Sequence, residues 1–258
     1  MRLIDAPWEQ IFKRYRLDNY DFHKEPCLIT ADQIKEATRS FKETGQREVR
    51  ILCKQDARED RPKVFIERDL FILPVKNGEY VILKGEGYVD ISPPPSSEPY
   101  ISNLDFELET AKVGDSEVQH LDYAYATSLI RHFTEEPTLI LTIRGRKYTP
   151  EFSFYVGSYG RPIVVRSVQT EVDAGYEGKN KVVLVEAKNR EMSNVIIRQL
   201  YYPFRQWSHY TKKPVEVVLF EKREDRYNLW LYTFEHKEHY NSIKLLKSAS
   251  YLIEHVRK

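Results

Sequence analysis

The segment Gln169–Asn189, QTEVDAGYEGKNKVVLVEAKN, constrains the chain more than any other. Val182–Val185 is an unbroken apolar run, as expected of a strand covered on both faces, and it stops at Glu186-Ala187-Lys188. The first half of the segment carries carboxylates at alternate positions, Glu171 and Asp173. Between the halves, Gly175–Asn180 holds two glycines and an asparagine, which predicts a turn and therefore a hairpin. Strand side chains alternate faces, so Glu171 and Asp173 share one face, as do Glu186 and Lys188. Such a hairpin gathers charges at one end of an apolar sheet, where they are costly unless paired or bound to metal.

Magnesium fits that requirement. It takes hard oxygen ligands, typically one or two carboxylates, and completes its shell with water and phosphate oxygens. Asp173 and Glu186 supply the carboxylates, and Lys188 is placed to orient an attacking water and to stabilise charge building on phosphorus. The competing reading is an exposed hairpin end closed by a plain salt bridge. Three acid-x-Lys triplets occur: Glu177-Gly-Lys179, Glu186-Ala-Lys188 and Glu235-His-Lys237. Only the middle one follows an apolar β-branched run with an acidic strand ahead of it.

Asp173…Glu186-Ala-Lys188 resembles the PD-(D/E)xK nucleases, the restriction-endonuclease-like superfamily, with Val172 in the place of the motif's proline. The wording EVDAGYE…VVLVEAKN…IIRQLYYPFRQW is similar to the nuclease half of a group of type II restriction enzymes. The resemblance covers Asp115 to about Phe234 and is specific around Glu171–Trp207. It implies a mixed central sheet flanked by helices, and magnesium-dependent hydrolysis of double-stranded DNA at a short specific sequence by a homodimer. It also implies that a glutamine on the helix after the lysine strand supports the site, which falls on Gln199. A helix ahead of the first core strand often lends a further carboxylate to the metal in this superfamily; here that is Glu117, which could equally do no more than favour its helix dipole. Which of Glu171 and Asp173 is the first ligand stays open at this stage. Two other functions compete: a structure-specific or repair nuclease, and a non-catalytic DNA-binding protein on a nuclease scaffold.

The remaining sequence predicts an α/β protein in two parts, residues 1–95 and 100–258, divided at Ser92–Pro99, SPPPSSEP. In the first part, Ala6–Tyr15 reads as a helix, Thr30 as the N-cap of a helix from Ala31 to about Thr44, and Lys76-Asn-Gly78 as a hairpin turn. Helices followed by a hairpin suit a winged-helix-like, DNA-contacting module, though many small α/β folds share the pattern. Arg47–Lys63 is a charged stretch that reads either as a phosphate-contacting surface or as a solvated loop. In the second part, Asp115 or Ser116 caps a helix reaching Phe133, and strands Leu139–Ile143 and Tyr148–Val156 flank a basic loop containing Arg144, Arg146 and Lys147. A helix then runs to about Ser208 with Gln199, Tyr202 and Gln206 on one face, and Pro203 should kink it. Arg198 and Arg205 on this helix are, with the basic loop, the expected phosphate contacts. Val215–Phe220 and Leu229–Phe234 are strands, and Ser242–Val256 is expected to close the chain as a helix.

With Lys+Arg 40 against Asp+Glu 39, global charge does not draw the chain to nucleic acid, so any phosphate contacts have to be local. No run reaches the length of a membrane span and Met1–Gln10 lacks a signal-peptide core, so a cytoplasmic protein with no membrane partner is expected. Cys27 and Cys53 lack metal-ligand spacing and read as reduced thiols; His236 and His239 read as a solvated pair.

Overall fold

The computed structural model describes residues 2–255. The N-terminal region opens with α1 (Asp5–Arg14), followed by β1 (Cys27–Thr30) and α2 (Ala31–Thr38). Thr30 and Gln33 form a reciprocal capping box at the start of α2. That helix stops at Thr38, short of the expected Thr44, and the chain continues through two single-turn helices, α3 (Thr44–Arg47) and α4 (Val49–Leu52). Helix α5 (Lys63–Arg68) leads into the hairpin β2 (Leu70–Lys76) and β3 (Glu79–Lys84), turned at Asn77-Gly78 as expected. Strand β1 joins it to make a three-stranded antiparallel sheet in the order β1-β3-β2.

The consecutive apolar residues Leu70–Leu73 are explained by burial on both faces of this sheet. Leu70 and Ile72 pack with Trp8, Phe12 and Ile34 in a core belonging to the N-terminal region. Phe71 and Leu73 point the other way, into a core shared with Phe154, Leu200 and Tyr240. The hairpin therefore belongs to both halves of the molecule. Family and fold aside, the proline-rich stretch is not a free tether: after β4 (Tyr88–Asp90), strand β5 (Glu98–Ile101) already begins within it.

Ser116 caps α6 (Glu117–Ala126) by accepting a hydrogen bond from the Gln119 amide. The expected single helix to Phe133 is broken at Ser128, whose φ of 64° starts a second helix, α7 (Leu129–Thr134). Strand β6 (Ile140–Tyr148) runs straight through the residues expected to form a basic loop. Gly145, at φ 73°, lets it do so by absorbing a register shift against the next long strand. Two short strands follow, β7 (Phe152–Phe154) and β8 (Ile163–Val165), paired with each other. Then come β9 (Gln169–Glu177), β10 (Val182–Lys188), β11 (Asn194–Ile196), which pairs with β4, and α8 (Ile197–Tyr210). Helix α8 is one element despite Pro203 within it.

Strands β12 (Val215–Arg223), β13 (Arg226–Phe234) and β14 (Ile243–Glu254) complete the chain. Among the described residues the largest sheet has seven strands, ordered β5-β14-β13-β12-β10-β9-β6 and mixed in direction, with β10 parallel to β12. Helix α8 covers one face, with Leu200, Tyr201 and Tyr202 over Val182, Leu184 and Val217. Helices α6 and α7 cover the other, with Leu121 and Phe133 over Val183, Val185 and Val218. The α/β class and the flanked mixed sheet agree with the sequence expectation, and Val215–Phe220 does lie in the sheet centre.

The C-terminal segment is a correction. Ser242–Val256 is a strand from Ile243 to Glu254, not a helix, and Val256 lies outside the described residues. Consecutive Leu231 and Tyr232 of the neighbouring strand pair with Lys247 and Leu245, so Leu246 is the extra residue of a bulge in β14. As a result Ile243 and Leu245 pack against one core while Ala249 and Ile253 pack against the other. In the sequence, Leu245, Leu246, Ala249, Leu252 and Ile253 fall at i, i+1, i+4, i+7 and i+8, spacings that mimic a helix. Among the described residues no helix is long and apolar enough to cross a membrane.

Candidate functional site

The hairpin turn falls at Gly178–Lys181, later than expected, so that Gly175 lies inside β9. A β-carbon on Gly175 would approach the Ile143 side chain to 2.7 Å, which is why the strand accepts glycine there. Pairing between β9 and β10 runs from Val182↔Glu177 to Val185↔Ala174 and then stops, while β10 stays paired to β12 as far as Lys188↔Glu221. One neighbour peels away and the other holds on, which opens a cleft at the C-terminal end of β10. Carboxyl ends of parallel strands are where α/β sheets bind ligands.

Asp173 and Glu186 are the first residues past the last rung, facing each other across the gap on the sheet side that α8 covers. Asp173 Oδ2 accepts a hydrogen bond from the Ala187 amide at 2.7 Å, replacing the ladder bond that the diverging strand no longer supplies. Lys188 Nζ lies 2.5 Å from Glu186 Oε1, and both side chains are largely buried. Glu117 reaches the same place from the first turn of α6, where its Oε1 accepts from the Asn189 amide at 3.2 Å. Glu171, the alternative first ligand, borders the cleft at its exposed edge and pairs with Arg146 at 3.0 Å. Asp173, not Glu171, is thus the carboxylate beside Glu186.

Crowding of these acids shows in their protonation. Burial pushes the Glu186 carboxyl up to about 7 against the pull of Lys188, with Asp173 adding to the rise. Burial also raises Asp173, opposed by the Ala187 amide and Lys188. Burial draws the Lys188 ammonium down, but Glu186, Glu117 and Asp173 more than offset it, and the net shift is upward. A cation bound among the carboxylates would relieve their repulsion. Among the described residues no three His, Cys, Asp or Glu side chains gather closely enough to enclose an ion by themselves. The donor set, oxygen only and incomplete without water or substrate oxygens, fits magnesium.

Gln199 lines the cleft one turn into α8, and its Oε1 is buried without a hydrogen-bond partner among the described residues. It does not meet its expected helix-face companions. Tyr202 donates to the Pro74 carbonyl at 2.9 Å, and the Gln206 side chain bonds Thr170 and the Tyr148 carbonyl. Arg198 also lines the cleft, 3.6 Å from Asp56. Arg205 does not: it is buried, its Nη1 donating to the Ser153 and Lys237 carbonyls and to Tyr201 Oη at 2.9 Å each. It is a strut within the fold, because one turn of helix beyond Tyr201 leads into the aromatic core and not back to the cleft. Arg144, paired with Asp122, and the exposed Arg146 and Lys147 lie on the edge strand β6.

The cleft has a volume of about 540 Å³ and two walls. One is the end of β9 and β10 with α8. The other is N-terminal: Arg50 and Lys54, in and just after α4, and the hairpin turn Lys76–Gly78. Sequence reasoning gave no reason to place Asp56 here, yet it joins the walls, since its carbonyl accepts from the Ile196 amide and its carboxylate faces Arg198. One acid in a polar stretch carries no local signal of such a role. His236 and His239 lie elsewhere, their rings 5.8 Å apart, and both cysteines are free.

Residues 5–82 match a family model described as Domain of unknown function (DUF6996), and residues 83–252 match one described as Domain of unknown function (DUF6997). No curated protein and no solved structure matches the chain.

Proposed function

We propose that this chain, which belongs to the family described as Domain of unknown function (DUF6997), is a magnesium-dependent endonuclease that hydrolyses phosphodiester bonds in double-stranded DNA. The observation that carries the reading is the placement of Asp173, Glu186 and Lys188 together at the opening between β9 and β10. A structural salt bridge needs one acid and one base. It does not account for a second buried carboxylate beside the first, nor for the cleft they face. The arrangement is the one a restriction-endonuclease-like fold would build, and we extend the reading to a type II enzyme cutting at a short specific sequence as a homodimer.

Asp173 and Glu186 would hold the magnesium ion directly, and Glu117, from α6, would bind it through its water shell. When bound, it would supply Lewis-acid charge at the phosphate and lower the pKa of water. The chain's own residues do the rest. Lys188 keeps a positive charge beside the reacting centre, where it orients water and balances charge developing on the phosphate oxygens. The Ala187 amide holds the Asp173 carboxylate in one orientation. Gln199, with a free acceptor oxygen, is placed to orient the Lys188 ammonium or a water by accepting a hydrogen bond.

Purified protein incubated with long duplex DNA should leave it intact in chelator and cut it once magnesium is added. A fixed ladder of bands supports a site-specific enzyme, since each wrong base pair costs roughly 1–3 kcal/mol. Cutting confined to flaps or branches would make it a structure-specific nuclease. DNA that is retarded but never cut, across divalent metals, would overturn catalysis and leave a binding protein.

A further inference from the structure

The walls of the cleft differ in charge: acids dominate the C-terminal wall beside Lys188 and Arg198, and cations dominate the N-terminal wall beside Asp56. The acids that face the reacting centre, Asp173, Glu186 and Glu117, come from the C-terminal half. Facing them, the N-terminal half presents Arg50, Lys54 and Lys76. Arg50 and Lys54 are held only at long distances. The Arg50 side chain is 87 % exposed and 3.9 Å from Glu48, and that of Lys54 is 72 % exposed and 3.6 Å from Asp56. The Arg50–Glu48 pair, exposed on both sides, contributes little to stability and is readily exchanged for a phosphate partner, while Lys54 reaches out from the more buried Asp56. Lys76 pairs with Glu79 on its own hairpin at 2.6 Å.

The backbone that carries them is, by contrast, held firmly. The Gly78 carbonyl accepts from the Ala31 amide at 2.7 Å, fixing the hairpin turn to the start of α2. The Pro74 carbonyl accepts from Tyr202 on α8, the helix that bears Gln199. Below α4, the Arg58 amide donates to Asn194 Oδ1 at 2.7 Å and the Ile196 amide to the Asp56 carbonyl at 2.9 Å. Phe71 and Leu73 lock the hairpin into the core beneath α8. Mobile cationic heads on a rigid frame, set across a cleft from a metal-type acid cluster, suit a ligand with several anionic groups in a row. A single phosphate would be satisfied by Lys188 and a metal ion held on the carboxylate wall. A chain of phosphodiesters needs charge on both sides.

We infer that Arg50, Lys54 and Lys76 form a phosphate clamp, contacting the DNA backbone beside the scissile phosphate and holding that strand against the carboxylate wall. The inference rests on the nuclease reading and adds to it which half of the molecule positions the substrate. Contacts of this kind bind without reading sequence, so their loss weakens all duplexes alike.

The test is the salt dependence of binding to a short fluorescent duplex, followed by anisotropy with calcium in place of magnesium, together with cleavage in magnesium. Each phosphate contact contributes about 0.9 to the slope of log K against log salt concentration on duplex DNA. Arg50→Ala with Lys54→Ala should lower the slope by about 2, and adding Lys76→Ala should bring the loss to about 3, equally for unrelated sequences. Arg50→Lys with Lys54→Arg should restore it. Lys35→Ala, at an exposed cation of the same half outside the cleft, should leave the slope unchanged. Cleavage at subsaturating DNA should fall in the alanine variants in step with their weaker binding, and should stay at the wild-type rate in Lys35→Ala. If the wild type cuts DNA and the slope does not change in the variants, the clamp is overturned and the nuclease reading stands. If the wild type neither binds nor cuts, both fall. A reduced slope with a wild type that binds but never cuts upholds the clamp and overturns catalysis.

Discussion

Glu186→Gln offers the most direct physical test of the acid cluster, because it can be read without any substrate. The Glu186 side chain is 13 % exposed, and burial raises its carboxyl from 4.5 to about 7. A carboxyl raised in this way binds its proton more tightly in the folded protein than in the unfolded chain. Its contribution to stability is therefore fully present below about 4.5 and is lost as pH rises through about 7. At about 1.4 kcal/mol for each tenfold change in proton affinity, the loss between pH 5 and pH 8 is on the order of 3 kcal/mol. A kcal/mol moves the Tm of a chain of this size by about 2–4 °C. Between those pH values the metal-free wild type should thus lose roughly 6–12 °C relative to Glu186→Gln, whose amide takes no proton. Lys188 is shifted upward, out of this window, and Asp173 and Glu117 remain to keep it charged in the variant. The assay is thermal melting of both proteins in chelator across that range, followed by magnesium at pH 8. Magnesium should raise the wild-type Tm there and leave the variant nearly unmoved. Parallel curves of Tm against pH would show that Glu186 is an ordinary carboxylate with no crowding to relieve, and the electrostatic case for a cation site would collapse.

Further outcomes follow from the same geometry. Lys188→Ala should cut the cleavage rate by about 100-fold or more, as for loss of a group that stabilises transition-state charge, while far-ultraviolet circular dichroism overlays wild type; retained cleavage with a much lower Tm would favour a structural salt bridge. Asp173→Asn should abolish cleavage but keep or tighten DNA binding in a gel shift, because a like charge near the phosphate is removed; wild-type cutting would take Asp173 out of the site. Arg205→Met should destabilise the protein by about 3 kcal/mol in urea, since three hydrogen bonds from Nη1 are lost and the Ser153 carbonyl loses its side-chain donor, and should not change the salt slope of DNA binding. Leu73→Ala should cost about 2–5 kcal/mol in the same measurement, and a chain lacking residues 1–92 should fail to give a cooperative melt, because the hairpin forms part of the core under α8.

What the sequence determined by itself was local. Val182–Val185 with Glu186 and Lys188 two apart set a buried strand with a charged end, because period-two alternation and apolar continuity are written in neighbouring residues. Thr30 with Gln33, Ser116 before Glu117 and Asn77-Gly78 likewise set two helix starts and a turn, each through contacts within a few residues. What only tertiary structure decided involved partners far along the chain. Glu171 and Asp173 are equivalent in an alternating strand; they differ because β9 leaves β10 after Ala174 and because Arg146 stands beside Glu171. Arg198 and Arg205 lie on one helix, yet one borders a cleft and the other is buried, as set by the hairpin and the β7 segment packed against α8. The last strand looked helical because its apolar residues fall at helical spacings, while its own bulge at Leu246 divides them between two cores. The facing wall of the cleft depends on Phe71 and Leu73 packing against residues more than eighty positions away, Phe154 and Tyr240 among them, and no short-range pattern encodes that proximity.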